Sequence, residues 1–339
     1  MKAVYVTHFA PDNNLQYVED AEKPQPKPGS HEVLIRVRAC ALNPADCRLM
    51  SGSVSMIMKP KVFPYIPGLD VCGIIETVGS KCTSFEPGDC VLAVLPAFVI
   101  GGLAEFIVCD EKQVTLAPPS NIMNSVEAAS IVTAGCTAMQ AVEDARIQQG
   151  TKVIVLGASG GVGSLVVQMA KHAGASFIAA TSTNIELVQS LGADQVIDYR
   201  VHQWWDVVAH KDLDVVIDCV GCDESWHHCD HALSSSGRYV AVVDSPDTQV
   251  RSLVDLLGFL GRIFIARTWN PFTRTYRLVN CFPSGKEVQQ LVQLVQDGGF
   301  RAVLDDYSPV PFHLSAVEEA LRIQRSHRAK GKLVVQVTE

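Results

Sequence analysis

The chain has 339 residues, 47% of them hydrophobic and 19% charged, with a formal net charge of −8. That length outgrows one small core, and that composition belongs to well-buried chains, so two domains are expected and disorder is not. The acidic balance argues against an extended nucleic-acid face, since Lys and Arg are scattered and only "RIQRSHRAKGK", residues 322–332, is locally basic.

The opening "MKAVYVTHFAP" carries no apolar run with a small-residue cleavage site. The longest apolar stretch, 90–104, is broken by Pro96, Gly101 and Gly102. It falls short of the ~18 uninterrupted apolar residues that span a bilayer. Eleven cysteines, spread through apolar segments, read as free and mostly buried thiols, not as a secreted disulfide framework. A cytoplasmic protein with no membrane segment is the expectation.

In chain order, the first third reads as β. "EVLIRVRACAL" (Glu32 to Leu42) and "CGIIETVG" (Cys72 to Gly79) are strands separated by Pro/Gly-rich breaks, and "FEPGDCVLAVL" adds a turn and another strand. The first long helical period runs from Asn124 to Ala145. Strand and helix then alternate. "KVIVLGA" is a buried strand, "GGVGSLVVQMAKHAGA" a helix, "SFIAATS" a strand, "NIELVQSLGA" a helix, and "QVIDY", "LDVVIDCVG" and "GRYVAVV" are strands. Continuous apolar strands between amphipathic helices imply a parallel sheet covered on both faces. The tail adds helices at "SGKEVQQLVQLVQDGG" and "HLSAVEEALRIQR" and a closing strand in "GKLVVQV".

The strand ending at Leu156 runs through Gly157 into Ala158, Ser159, Gly160, Gly161, Val162 and Gly163, and then into a helix. This strand–glycine–helix order fits a dinucleotide site: small residues admit the pyrophosphate, and the helix N-terminus offers free N–H groups. The end of the second strand, "AATSTN", has no acid to hold a ribose 2′-hydroxyl. Ser182 and Thr183 can donate to a 2′-phosphate instead, which favours NADPH. Cys219, Val220 and Val242 end later strands, where ligands gather in such sheets. "CVGCDESWHHCDH" (Cys219 to His231) looks like a metal cluster but is expected to be a strand exit followed by a helix. On that helix His227 and His231 would share a face.

"NPADCRLMSG", "PYIPGLDVCGIIETVGSKCTSFEPGDCV", "GGLAEF", "TAGCTA", "GASGGVG", "LGADQVIDY" and "GKLVV" occur in collinear order. Together they resemble the medium-chain dehydrogenase/reductase superfamily, and within it the zinc-independent, zeta-crystallin-like quinone oxidoreductase branch. The resemblance implies a GroES-like β-barrel catalytic domain from 1–123, completed by 284–339, with a Rossmann-type, doubly wound α/β domain at 124–283 between them. It also implies NADPH-dependent reduction of quinones or other carbonyl-conjugated double bonds, a homodimer, and Tyr199 near the 2′-phosphate.

Where zinc-dependent relatives have a Cys three residues before the residue matching Asp46, this chain has Asn43; where they follow Pro-Gly with His-Glu, it has Leu69-Asp70. An amide and an alkyl chain are not zinc ligands, so no metal is expected. Asn43 is then expected to donate to the substrate oxygen or to fix its own loop. Tyr65 is a second donor or an aromatic wall, and Thr133 would lie near the nicotinamide. Arg328, Lys330 and Lys332 would reach the 2′-phosphate or substrate mouth, or form an exposed basic surface. The stretch 252–279 is expected to shape the pocket and the dimer edge. The competing functions are an NADPH-dependent 2-alkenal or enone reductase and, in another class, a crystallin-like structural or RNA-binding role.

Overall fold

The computed structural model describes the chain except residues 11–14, 26–29, 97–100, 210–211, 222, 244, 246–247, 269–274 and 280–281, and only the backbone of 262–268. The chain forms two compact units. The first is Met1–Cys136 with Phe282–Asp297 and Ala302–Glu339; the second is Thr137–Cys281 with Gly298–Arg301.

In the first unit β1 (Ala3–Val6) and β2 (Leu15–Val18) pair antiparallel. Next come β3 (Glu32–Ala41), α1 (Pro44–Ser51), β4 (Asp70–Val78), β5 (Cys90–Val94), β6 (Phe106–Asp110), β7 (Val114–Leu116) and α2 (Ser125–Ser130). On β3, Val33, Leu34, Ile35 and Val37 are buried while Arg36 is exposed. The helix expected from Asn124 to Ala145 is broken at Ile131 into α2 and α3 (Val132–Ala145). Ile131, Val132 and Thr133 are successive β-branched residues, which propagate a helix poorly. The break also puts the Thr133 N–H in the first turn of α3, where it donates to Asp70. Because α2 packs on β3 and β4, the first unit extends to Cys136 and not only to the expected residue 123.

The second unit holds β8 (Lys152–Leu156), α4 (Gly163–His172), β9 (Phe177–Thr181), α5 (Ile185–Ser190), β10 (Gln195–Ile197), α6 (Trp204–Val207), β11 (Leu213–Asp218), α7 (Asp223–His228), β12 (Leu233–Ala241), α8 (Leu253–Thr268) and β13 (Thr275–Leu278). All six strands are parallel, in the order β10-β9-β8-β11-β12-β13. With β8 counted first, this is the doubly wound order of dinucleotide-binding sheets. Its core gathers Ile154, Val216 and Tyr239 with Trp204 and Trp205. The expected helix through His231 ends at His228, and Cys229–His231 form a 3-10 turn. The tighter winding brings residues three apart together. His228 and His231 are therefore ring neighbours at 5.6 Å, while His228 stacks on Trp205 at 4.7 Å.

The chain then returns to the first unit through α9 (Gly285–Gln296), β14 (Val310–Pro311), α10 (Leu314–Arg325) and β15 (Val334–Gln336). The resulting sheet runs β14-β15-β3-β4-β5-β7, with β6 also on β3. Pairing of Val334 with Ala41 sets the last strand beside the end of β3. The Leu42 N–H donates to Leu333 O at 2.9 Å, which delivers Lys332 to the start of α1.

Candidate active site

Asn43 caps α1, followed by Pro44 at the first helical position, where a missing N–H costs nothing. Its side chain serves a buried network. Nδ2 donates to Asp70 Oδ2 at 2.9 Å, and Oδ1 accepts from Lys332 Nζ at 2.6 Å. An acceptor-only carboxylate on one side and a donor-only ammonium on the other fix which end of the amide is which. Lys332 also donates to Leu42 O at 2.7 Å. Asp70 further accepts from the Thr133 N–H at 3.1 Å and from its hydroxyl at 2.5 Å. Burial pushes Asp70 up and Lys332 down; their mutual attraction and the donors around Asp70 oppose both shifts. The second Nδ2 hydrogen of Asn43 is left for an incoming acceptor.

Asp46, in the first turn of α1, accepts from the Asn43 N–H at 2.8 Å and from the Gly68 N–H at 3.1 Å. Gly68 has φ +103°, and a Cβ there would lie 2.5 Å from Cys40 Sγ, so the loop needs glycine. Burial pushes Asp46 up to about 7, against the pull of those two N–H groups. Tyr65 is held by a two-way backbone bridge with Val6 and packs edge-on against Phe63 at 5.6 Å. Its hydroxyl is buried with no hydrogen-bond partner among the described residues. Tyr65 and Asp46 line one small pocket with Leu49, Ile66, Gly68 and Leu69. The ring therefore packs, and the hydroxyl is a donor that an acceptor would relieve.

In the second unit the turn after β8 has the form its sequence requires. Gly157 has φ +75°, and a Cβ on Gly163 would stand 2.3 Å from Gly157 O. The Gly160 N–H folds back on Gly157 O at 3.1 Å, and Ser164 donates to Gly160 O at 3.0 Å. The N–H groups of Gly161, Val162 and Gly163 at the entrance of α4 have no such internal acceptor among the described residues. They form a cradle suited to a pyrophosphate. Ser159 belongs to the same turn. The exits of β11 and β12 close on it: a Cβ on Gly157 would meet Val220 at 2.8 Å, and the Val242 N–H donates to Asp218 O at 2.8 Å. Asp218 fixes the turn after Cys219 by accepting from the Val220 and Gly221 N–H groups, and it is held in turn by the Tyr239 hydroxyl at 2.7 Å.

Of the 2′-phosphate candidates, Ser182 is buried and its Oγ accepts from the Asn184 N–H at 2.9 Å; Thr183 is half-buried and Tyr199 exposed. Arg328 and Lys330 are exposed in the first unit. Lys332 is 5% exposed and locked onto Asn43, so it is neither part of a basic surface nor aimed at a phosphate. Two further residues join the site. Thr181 accepts from the Gly157 N–H at 3.0 Å, tying the glycine turn to β9. Arg200 follows Tyr199 at the exit of β10, beside the exit of β9, and pairs with Asp198 at 2.6 Å. A basic residue on the neighbouring strand end was the signal that would have found it. Cys222 lies outside the described residues.

The chain matches the alcohol dehydrogenase GroES-like domain over residues 29–119 and the zinc-binding dehydrogenase family over residues 191–335. It is 33% identical over 331 residues to a chloroplastic quinone-oxidoreductase of Triphysaria versicolor, covering 94% of each chain. The chain belongs to the medium-chain dehydrogenase/reductase superfamily. It is also 32% identical over 314 residues to the chloroplastic NADPH-dependent alkenal/one oxidoreductase of Arabidopsis thaliana, covering 90% of this chain and 72% of that protein. The solved quinone oxidoreductase from Coxiella burnetii superposes on 100% of this chain and 99% of its own, with TM-score 0.80 and 26% identity.

As a member of this superfamily the protein is an oxidoreductase that uses a nicotinamide cofactor, with a GroES-like unit and a parallel nucleotide-binding sheet. The zinc in the family description does not suit the residues present. Asn43 Oδ1 is already taken by an ammonium, Leu69 is apolar, and both Asp70 oxygens are filled by donors. Among the described residues no group of three or more His, Cys, Asp or Glu side chains is arranged to hold a metal ion, and no helix is long and apolar enough to cross a membrane.

Proposed function

We propose that the chain is a zinc-independent quinone oxidoreductase that moves hydride from NADPH to a quinone. The observation that carries this reading is the Lys332–Asn43–Asp70–Thr133 network. Positive charge and hydrogen-bond donors stand there in place of a thiolate and imidazole set. A quinone is electrophilic through its own conjugation, so the protein has to orient it, meet its oxygen and keep water out. Bound NADPH supplies the hydride. The N–H groups of Gly161, Val162 and Gly163 hold its pyrophosphate, with Ser159, Gly160, Cys219, Val220 and Val242 as the surrounding wall. Thr183, Tyr199 and Arg200 meet the 2′-phosphate, and Ser182 shapes their turn. Asn43 Nδ2 and the Tyr65 hydroxyl donate to the acceptor oxygen. Thr133, whose hydroxyl hydrogen goes to Asp70, works by holding the network. A cytoplasmic homodimer completes the reading.

A second reading, NADPH-dependent reduction of a 2-alkenal or enone, draws support from the near-equal identity to the alkenal/one oxidoreductase. NADPH oxidation with 9,10-phenanthrenequinone and with trans-2-hexenal separates the two. The expectation is faster turnover with the quinone, no response to a zinc chelator, and a loss on the order of 10²-fold in turnover for Asn43→Ala with NADPH affinity retained. Full turnover in Asn43→Ala removes its assigned role; failure to bind NADPH removes the reading altogether.

A further inference from the structure

Strand β3 carries one residue more than β4 at Arg38: Val37 faces Gly73 and Ala39 faces Cys72, which leaves Arg38 no opposite position. Bulges re-aim the side chain they displace. The Arg38 Nε is buried with no hydrogen-bond partner among the described residues, an expensive state for a cationic donor unless something is to meet it.

The next strand pair supplies a nucleophile at the same place. Ile74 lies opposite Cys90 and Cys72 opposite Leu92, so Cys72 and Cys90 are diagonal neighbours on one face of the sheet. The Cys72 thiol donates to the Cys90 sulfur, and Ser125 on α2 bonds Cys72 from the other side. The titratable and charged groups acting on Cys90 are Cys72 on β4 and Arg38 on β3. Cys90 is exposed, whereas Cys40, Cys72, Cys109, Cys136 and Cys229 are buried. The donated hydrogen bond, followed by the Arg38 charge, draws Cys90 down to about 7, while burial drives Cys47 and Cys109 up to about 12. Thiolate and accessibility coincide at Cys90.

We propose that Cys90, with Cys72 and Arg38, forms a covalent capture site for soft electrophiles of the α,β-unsaturated carbonyl class. The Cys90 sulfur gives its electron pair to the β-carbon and an S–C bond forms. The C=C π pair shifts to the carbonyl oxygen as an enolate, which the guanidinium stabilises. The proton that the thiol lost to water returns at the α-carbon. The sum is addition of an S–H across a double bond, with no oxidation or reduction and no cofactor. The site lies at the opposite end of the β4–β5 ladder from Asp70 and does not depend on the proposed reaction.

The test treats the whole chain, without NADPH, with less than one equivalent of but-3-en-2-one between pH 6 and 9, and maps the adducts by peptide mass spectrometry. Cys90 should carry most of the first label, with a labelling midpoint near pH 7, against about 8.5 for an ordinary thiol. Arg38→Gln and Cys72→Ala should each slow Cys90 labelling at pH 7 by roughly tenfold, and Arg38→Lys should retain most of the rate. Cys90→Ser, a change at an exposed position, should abolish the first label. Label shared among Cys90, Cys82 and Cys47 overturns the proposal, as does an unchanged rate in Arg38→Gln with its circular dichroism intact.

Discussion

Lys332 shows how one side chain converts a buried patch into a polar site. Its ammonium is out of water, and the free energy of taking it there is offset by Leu42 O, Asn43 Oδ1 and the attraction of Asp70 first and Asp46 next. Such pairs add little net stability but cost a great deal when one partner is removed, because the other charge is left buried and unmatched. Lys332→Met, close in length and apolar, should therefore destabilise the chain by about 3–5 kcal/mol in urea unfolding. Adding Asp70→Asn should recover part of that loss, since the stranded carboxylate goes with it. Additive losses in the double variant would mean that the two groups are not coupled. Asn43 would in either case lose the ammonium that orients its amide, so turnover should fall even where the fold survives.

At the scale of the element, α1 is held at its start by a carboxylate that titrates near neutrality. Acids favour the first turn of a helix, and Asp46 takes two backbone N–H groups there. Burial nevertheless dominates and raises it from the usual carboxylate range to about 7. A raised acid is more easily protonated in the folded chain than in the unfolded one. Its contribution is therefore full below the unfolded value of ~3.9 and is lost progressively as pH rises through the folded value. The native state should lose stability from this group between about pH 4 and 7, and little more above that. Asp46→Asn cannot ionise. Its midpoint of thermal unfolding should start lower at acid pH, because one N–H loses its acceptor, yet fall less than that of the unaltered chain as pH rises to neutrality. Parallel curves for the two chains would show that Asp46 is not the titrating group.

Across the whole molecule, what the sequence disclosed was what neighbouring residues decide. The strand–glycine–helix turn at 157–163 is legible because the close approach and the helix entrance are both local. Asn43 and Tyr65 are legible through their motifs. The contact of Lys332 with Asn43 was not legible, because it spans 289 residues and depends on the β15–β3 register, which no periodicity encodes. The helix break at Ile131 likewise serves Asp70, 63 residues away from Thr133. The proposed homodimer also belongs to this scale. Among the described strands β13 ends the parallel sheet, and α8, which packs against it, leaves Leu253, Val254, Leu257 and Leu260 exposed, Val254 by 78%. Leu253, Leu257 and Leu260 share one helical face. An unpaired edge beside an apolar stripe invites a partner with the same two features, and a second copy related by a two-fold axis supplies both at once. Light scattering should give twice the chain mass for the unaltered protein. Val254→Glu with Leu257→Glu should halve it while leaving the circular dichroism unchanged, because neither side chain is part of the core. A single-chain mass for the unaltered protein would leave that stripe without the partner argued for it.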